Sequence, residues 1–516
     1  MVNLLLVVSL LLTLVGASLL WLTDLPLGVP GEWTWDRIAY EVFPLGGWFL
    51  AAVAGAAYLG FVRFGASRIE STSRLKQAGW LTLLVAAGWC WIWGIQSTIP
   101  GIHGTSKQPF VIYYPRFSGY FWQARYEVSD TAEFLRDYEE LLAEQDYLHI
   151  GTHPPGLTLG YRLLHGLCES VPALTAAANA TIPPRIEESL AILNQSAVAS
   201  GHPLTPADTA TLWLATVLTL LAAAGCVVPL FALLRRWLPP RDAWKWSALW
   251  PLVPALAIFS PKSDLLYPLF ALSAAWLWLT GWERGSFVRP FVGGFVAVAG
   301  MTLSLAVLPA CAILGVETVL LSVRDIREGK RSDVIRQWIR AGLAVIAGVL
   351  LPIILFAALA DVNLIRVWLW NLSNHALFYD HNVRTYAAWL AVNPLEMAFA
   401  VGLPLTTLAV AGLVRSVHRP LASTAHIAAI SGAGMWGLLW LSGKNMGEAA
   451  RLWIVLMPWV LIAAASWTAT GNDSENADRT WHHDRLWWGI AILQVVAAIA
   501  TVTRVDGFHF AEMLGP

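Results

Sequence analysis

The chain has 516 residues, of which 57% are hydrophobic and 13% charged, with a net charge of -1. Soluble globular chains carry about 25% charged and about 45–50% apolar residues, so this balance excludes an ordinary soluble enzyme, a disordered chain and a fibrous repeat. Near-neutrality offers no global basic field for nucleic acid or anionic lipid. The class left is a polytopic membrane protein, and its 29 Trp residues suit membrane–water interfaces.

The first apolar run, 2–22, has no basic residue before it and is about 20 residues long, which fits a spanning helix better than a cleaved signal. Further runs predict helices over 44–62, 78–96, 207–233, 246–260, 265–282, 288–303, 306–322, 341–360, 394–414, 424–441, 453–469 and 486–503, about thirteen spans in an all-α chain. The organisation is then N-terminal transmembrane helices over 1–96, an extracytoplasmic loop over 97–206 and a transmembrane core over 207–516. With the N-terminus in the cytoplasm, most of the 33 Lys and Arg residues fall on the inner connections 63–76, 234–245, 283–289, 323–340, 415–419 and 470–485, as the positive-inside bias requires. Few cysteines and short connections point to a bacterial inner membrane. Cys90, Cys168, Cys226 and Cys311 form no CxxC pair and suit small buried positions.

The 97–206 segment is not expected to form a core of its own. Residues 129–146 predict a helix with Ser129 as its cap and Asp130 and Glu133 in the first turn, where the helix dipole favours acids. Residues 157–168 are amphipathic and too short to span, which fits an interfacial helix. Another surface helix is expected at 184–199.

Unusual polar residues gather on the outer connections: Asp24 to Glu41, Tyr126 to Asp130, His149 to Gly156, Ser260 to Asp264, Asn371 to Arg384, Gly443 to Arg451 and Asp506 to His509. Ionisable groups at membrane depth are costly, which makes them functional candidates. The sharpest string is His153-Pro154-Pro155-Gly156. Each residue before a proline favours extended geometry, and Gly156 permits a turn or close backbone approach, so His153 is held on a stiff strut. A helix-entry turn is the plainer alternative.

An acidic, aromatic outer loop followed by this HPPG element resembles the GT-C superfamily of membrane glycosyltransferases, in particular the protein O-mannosyltransferase-like branch. The string Gly447-Glu448-Ala449-Ala450-Arg451-Leu452-Trp453 at a late helix entry is also similar to that group. The chain departs from the family pattern in lacking a Lys after Gly156 and an Asp-Glu pair before the motif, and two further helices separate its first outer acids from His153. The resemblance implies transfer of a sugar from a polyprenyl-phosphate donor to an acceptor hydroxyl on a glycan, lipid or protein, at the extracytoplasmic face of the bilayer.

That chemistry needs a carboxylate to accept the hydroxyl proton and cations to meet the leaving phosphate. The expected base is Asp130, then Glu127, with His153 beside them and Glu32 and Asp36 as rivals from the first outer loop. The expected phosphate ligands are Arg451, Lys444 and Arg384, with Lys262 behind. Arg suits the task because its fork matches phosphate oxygens. Glu448, His375, Tyr379, Tyr126, Pro154 and Gly156 complete the expected substrate site. No cofactor is required. A divalent metal at His375, Asp380 and His381 is conceivable, although the spacing fits no standard signature. A transporter or flippase of a lipid-linked or polar solute is the principal alternative, and a non-catalytic scaffold a third.

Overall fold

The computed structural model describes residues 1–71, 73–144, 146, 148–468 and 477–510. The fold is all-α apart from a two-stranded antiparallel ribbon, in which Leu27–Val29 pairs with Trp33–Trp35. Nine helices among the described residues are long and apolar enough to cross a membrane: Val2–Leu22, Leu45–Arg68, Arg74–Ser97, Pro206–Leu234, Ser263–Glu283, Leu305–Arg327, Arg331–Ala360, Thr424–Leu441 and Trp481–Val502. The pair Tyr386–Val401 and Leu403–His418, bent by 112° at Gly402, passes the same test only when its two helices are taken together. The chain is an integral membrane protein of polytopic helical architecture.

The difference from thirteen expected spans lies in four segments, and each has a local cause. Over 246–260, Pro251 and Pro254 remove backbone donors and divide the run into short pieces, Pro240–Ser247, Trp250–Leu252 and Pro254–Ile258. Around 453–469, Pro458 opens a ten-residue helix, Met457–Ser466, after a separate turn, Ile454–Leu456; residue 469, with 470–476 of the expected inner connection, lies outside the described residues. The 394–414 run breaks at Gly402, whose φ of 101° is unsuited to other residues. Val288–Leu303 is a helix of 16 residues, short for a span.

Two further corrections concern the polar segments. The stretch 361–393, expected as loop, contains the helix Leu364–His381, whose first turn is capped by the Asn363 side chain accepting from the Arg366 amide at 3.2 Å. The expected 129–146 helix is two short ones, Thr131–Arg136 and Tyr138–Ala143, hinged at Asp137; Gln145 lies outside the described residues. Its cap is Asp130, not Ser129. The expected helices at 157–168 and 184–199 are present as Gly156–Ser170 and Pro184–Ala199.

The 97–206 segment packs around a buried apolar cluster that it shares with Ala207, Leu212 and Trp213 of the Pro206–Leu234 helix. Phe110, Val111, Ile112, Phe121, Ile186, Leu190 and Leu193 pack together, and Phe508 and Phe510 from the end of the described chain join them. A hydrogen bond from the Ile38 amide to the Arg504 carbonyl (2.8 Å) ties this end to the first outer loop. All four cysteines are unpaired.

At the opposite end of the bundle, Arg236 is 3% exposed and lies between Glu317 (2.6 Å) and Glu283 (2.7 Å), joining three helices. Removing one partner of a buried pair costs about 3–5 kcal/mol because the other charge stays buried. Glu317→Gln is therefore expected to lower the thermal unfolding midpoint in detergent, while Lys330→Ala, at an exposed pair, leaves it unchanged.

Candidate functional site

A polar cavity of ≈ 90 Å³ lies at the end of the bundle that carries residues 98–205. Four segments distant in sequence wall it: Tyr120 and His149 to His153, then Lys262 to Asp264, then His375 to Arg384, and finally Asn445 to Leu452. A wider chamber of ≈ 260 Å³ adjoins it through shared residues His149, Phe378, Arg384, Glu448 and Arg451, and adds Trp33, Arg116, Phe117, Phe508 and His509.

The HPPG element builds one wall. Pro155 is the N-cap of Gly156–Ser170, so the Pro-Pro pair sets a helix entry. A Cβ on Gly156 would stand 2.4 Å from the Thr302 carbonyl oxygen, which explains glycine at this contact. The turn before it is pinned from the Leu364–His381 helix. Asn371 donates to the carbonyls of Gly151 (3.0 Å) and His153 (3.1 Å), and Asn374 donates to those of Leu142 and Gly151. Tyr138 donates its hydroxyl to the His153 carbonyl at 2.8 Å. The His153 ring meets Tyr120 edge-on, and burial pushes its pKa down to about 4, so it faces the cavity neutral.

The opposite wall is a strained turn. Gly443, Asn445, Gly447 and Glu448 all have positive φ, and Glu448 at 55° pays a penalty that glycine would not. Its conformation is held by the Arg451 guanidinium, which donates to the Glu448 carboxylate at 2.8 Å, and by the buried Glu396 carboxylate, which accepts from the Ala449 amide (2.9 Å) and from Trp35 Nε1 (2.8 Å). Tyr379 accepts from the Met446 amide at 3.0 Å. Such strain is retained where the surroundings over-determine it, commonly at ligand sites.

The cations are the distinctive feature. Lys262 Nζ, Arg384 Nε and Arg451 Nε are buried and have no hydrogen-bond partner among the described residues. An unmatched buried donor costs about 1–3 kcal/mol, more when charged. Burial, then the neighbouring Arg451 charge, pushes Lys262 down to about 7. Burial also lowers the pKa of Arg384. For Arg451 burial acts in the same direction but is outweighed by Glu448 and Asp264, which hold it firmly charged. Asp264 is 8% exposed, lines the cavity and interacts electrostatically with Lys262, Arg451 and His153, with no ion pair or side-chain hydrogen bond at contact distance among the described residues. Three cations, one unpaired carboxylate and three imidazoles thus share one small space able to hold an anion and exchange a proton beside it.

Of the residues expected from sequence, His153, Lys262, Arg384, Arg451, Glu448, His375 and Tyr379 line this cavity. The others do not. Asp130 is exposed and spent on capping, accepting from the Ala132 (2.7 Å) and Glu133 (2.9 Å) amides, which lowers its pKa. Glu127 is exposed. Tyr126 packs between Trp122 and His202, outside the cavity. Lys444 is exposed on the strained turn. Pro154 and Gly156 shape the helix entry. Of the rival acids, Glu32 receives the Thr385 amide (2.8 Å) and Trp389 Nε1 (2.7 Å), capping the Tyr386–Val401 helix, and Asp36 pairs with His509. His375 is separated in role from Asp380 and His381, which are exposed, and no group of three His, Cys, Asp or Glu among the described residues is placed to hold a metal ion.

No protein-family model matches the chain, and no curated protein matches its sequence. The site's meaning rests on its own chemistry. Asp264 and His149 lie in the polar outer strings singled out from the sequence but carry no assigned role there, and Tyr120 and Glu396 are not anticipated as site members. The first had a visible signal, an acid and a base flanking a proline turn between two apolar runs.

Proposed function

We propose that the chain is a GT-C-type membrane glycosyltransferase that moves a sugar from a polyprenyl-phosphate donor to an acceptor hydroxyl on the extracytoplasmic side. The observation that carries this reading is the set of partnerless buried donors, Lys262 Nζ, Arg384 Nε and Arg451 Nε, around one cavity with the unpaired Asp264. A phosphate offers enough acceptor oxygens to satisfy all three donors. Ala450, the residue before Arg451, walls an apolar groove of ≈ 250 Å³ with Leu19, Leu25, Phe259, Leu395 and Phe399. In the proposed complex the lipid tail occupies this groove and the headgroup meets the cations.

In the proposed step the acceptor oxygen forms a bond to the sugar's anomeric carbon while the bond from that carbon to the phosphate oxygen breaks. The electron pair leaves with the phosphate, and the hydroxyl proton passes to Asp264, with inversion at carbon. Asp264 takes the place expected for Asp130. Accordingly Asp130→Asn, which keeps a capping side chain, is expected to transfer sugar within about twofold of the wild-type rate.

The test is to incubate purified protein with radiolabelled polyprenyl-phosphate sugars, with and without chelator, and score label leaving the lipid; retention of all label on every donor contradicts the reading. Lys262 adds a pH signature. It is charged below about 7 and neutral above, so donor kcat/KM, which reports free-enzyme groups, falls as pH rises through about 7. Lys262→Arg is expected to carry the fall to higher pH, seen as a flat profile to about pH 9.

A further inference from the structure

The wider chamber differs in chemistry from the cation cavity beside it. Its walls include the rings of Trp33, Phe117, Phe378 and Phe508. Two buried ring nitrogens of these wall residues, Trp33 Nε1 and His509 Nε2, have no hydrogen-bond partner among the described residues. His509 is gripped from its other nitrogen. Nδ1 lies 2.9 Å from the Asp36 carboxylate, and the Trp33 ring meets the imidazole edge-on at 4.5 Å between centroids. A carboxylate at Nδ1 holds a proton there, which leaves the Nε2 lone pair as an acceptor in the neutral ring. The chamber therefore has flat apolar faces, with one unmatched donor and one unmatched acceptor in the side chains that form its wall.

We propose that this chamber is the acceptor subsite and that the acceptor is a saccharide, recognised by Trp33 and by His509 oriented by Asp36. A sugar ring matches both halves of the wall. Its C–H face packs on aromatic rings, and each hydroxyl donates to one partner and accepts from another, satisfying His509 Nε2 and Trp33 Nε1 together. A lipid hydroxyl can satisfy the two nitrogens but brings no ring to the aromatic faces, and an extended peptide has no comparable ring face either. The shared residues Arg384, Glu448 and Arg451 place the bound sugar next to the cation cavity. The assignment deepens the transferase reading and rests on it for the word acceptor, whereas saccharide binding can be measured without turnover. His509 is a binding and positioning residue here, distinct from the base.

Saturation-transfer difference NMR on the full-length protein in detergent, with methyl glycosides of glucose, mannose, galactose and arabinose as probes, tests the proposal. At least one glycoside is expected to receive saturation, with the signal falling at least fivefold in Trp33→Ala and His509→Ala. His509→Gln is expected to retain more signal than His509→Ala, because its amide can still hydrogen-bond, and Asp36→Asn is expected to lose part of it. Unfolding midpoints equal to wild type identify the losses as local. A variant that unfolds early is replaced in the comparison by Phe508→Leu, which is expected to weaken the same signal. The proposal is overturned if no glycoside is saturated, or if Trp33, His509 and Phe508 variants bind as wild type does. Undecaprenyl phosphate, titrated separately, keeps the two readings apart: glycoside binding without lipid-phosphate binding supports a saccharide site and removes the transferase.

Discussion

Asp264→Asn is expected to lower kcat for sugar transfer by about 10²–10⁴-fold, the range typical of a lost general base. KM for the donor should change little, since the amide is nearly isosteric and Lys262, Arg384 and Arg451 remain. The reasoning is geometric. Asp264 stands on the short turn Ser263–Leu265 that opens a spanning helix, immediately after Lys262. Among the carboxylates facing the cavity, Glu448 is committed to Arg451 at 2.8 Å, whereas Asp264 keeps its lone pairs open. A steady-state comparison of Asp264→Asn with Glu448→Gln checks the assignment. A rate deficit confined to Glu448→Gln would reassign the proton acceptor.

Arg451→Ala is expected to lose about 10²–10³-fold in kcat/KM, as removal of a donor aimed at developing negative charge does. Two losses combine. The leaving phosphate forfeits a guanidinium whose Nε has no other partner, and Glu448 loses the charge that offsets its left-handed backbone. Arg451→Lys restores the charge but not the fork, so it is expected to recover only part of the loss. Pairing Arg451→Ala with Glu448→Gln separates the two effects. If the double variant is as slow as Arg451→Ala alone, the guanidinium acts on the phosphate. If the second substitution restores activity, Arg451 serves only to neutralise Glu448.

The sequence foretold the all-α membrane class because uninterrupted apolar runs admit few other structures in lipid. It also pointed to His153, Arg384 and Arg451, because polar groups at the ends of apolar helices stand out against their surroundings. What it hid follows from competition between roles. Asp130 has the composition of a base in an aromatic loop, but the same carboxylate is an effective helix cap, and the cap took it. Glu32 likewise sits among tryptophans and ends as a cap for a helix more than 350 residues away, through the Thr385 amide. Asp264 stands at the end of the polar string Ser260 to Asp264 with no role assigned from sequence, and in the structure it lines the same cavity as Lys262. The reduction from thirteen expected spans arises where proline and glycine interrupt runs whose average hydropathy alone looks continuous, as at Pro251, Pro254 and Gly402.

Lys262, Arg384 and Arg451 are proposed to form a receptor for a lipid-linked phosphate. Native mass spectrometry of the detergent-solubilised protein titrated with undecaprenyl phosphate measures this directly. Wild type is expected to retain one lipid phosphate per chain, with affinity weakened at least tenfold in Lys262→Ala and in Arg451→Ala, and undecaprenol lacking the phosphate is expected to bind far more weakly. Equal retention of undecaprenol and undecaprenyl phosphate, unchanged by either substitution, would contradict the account.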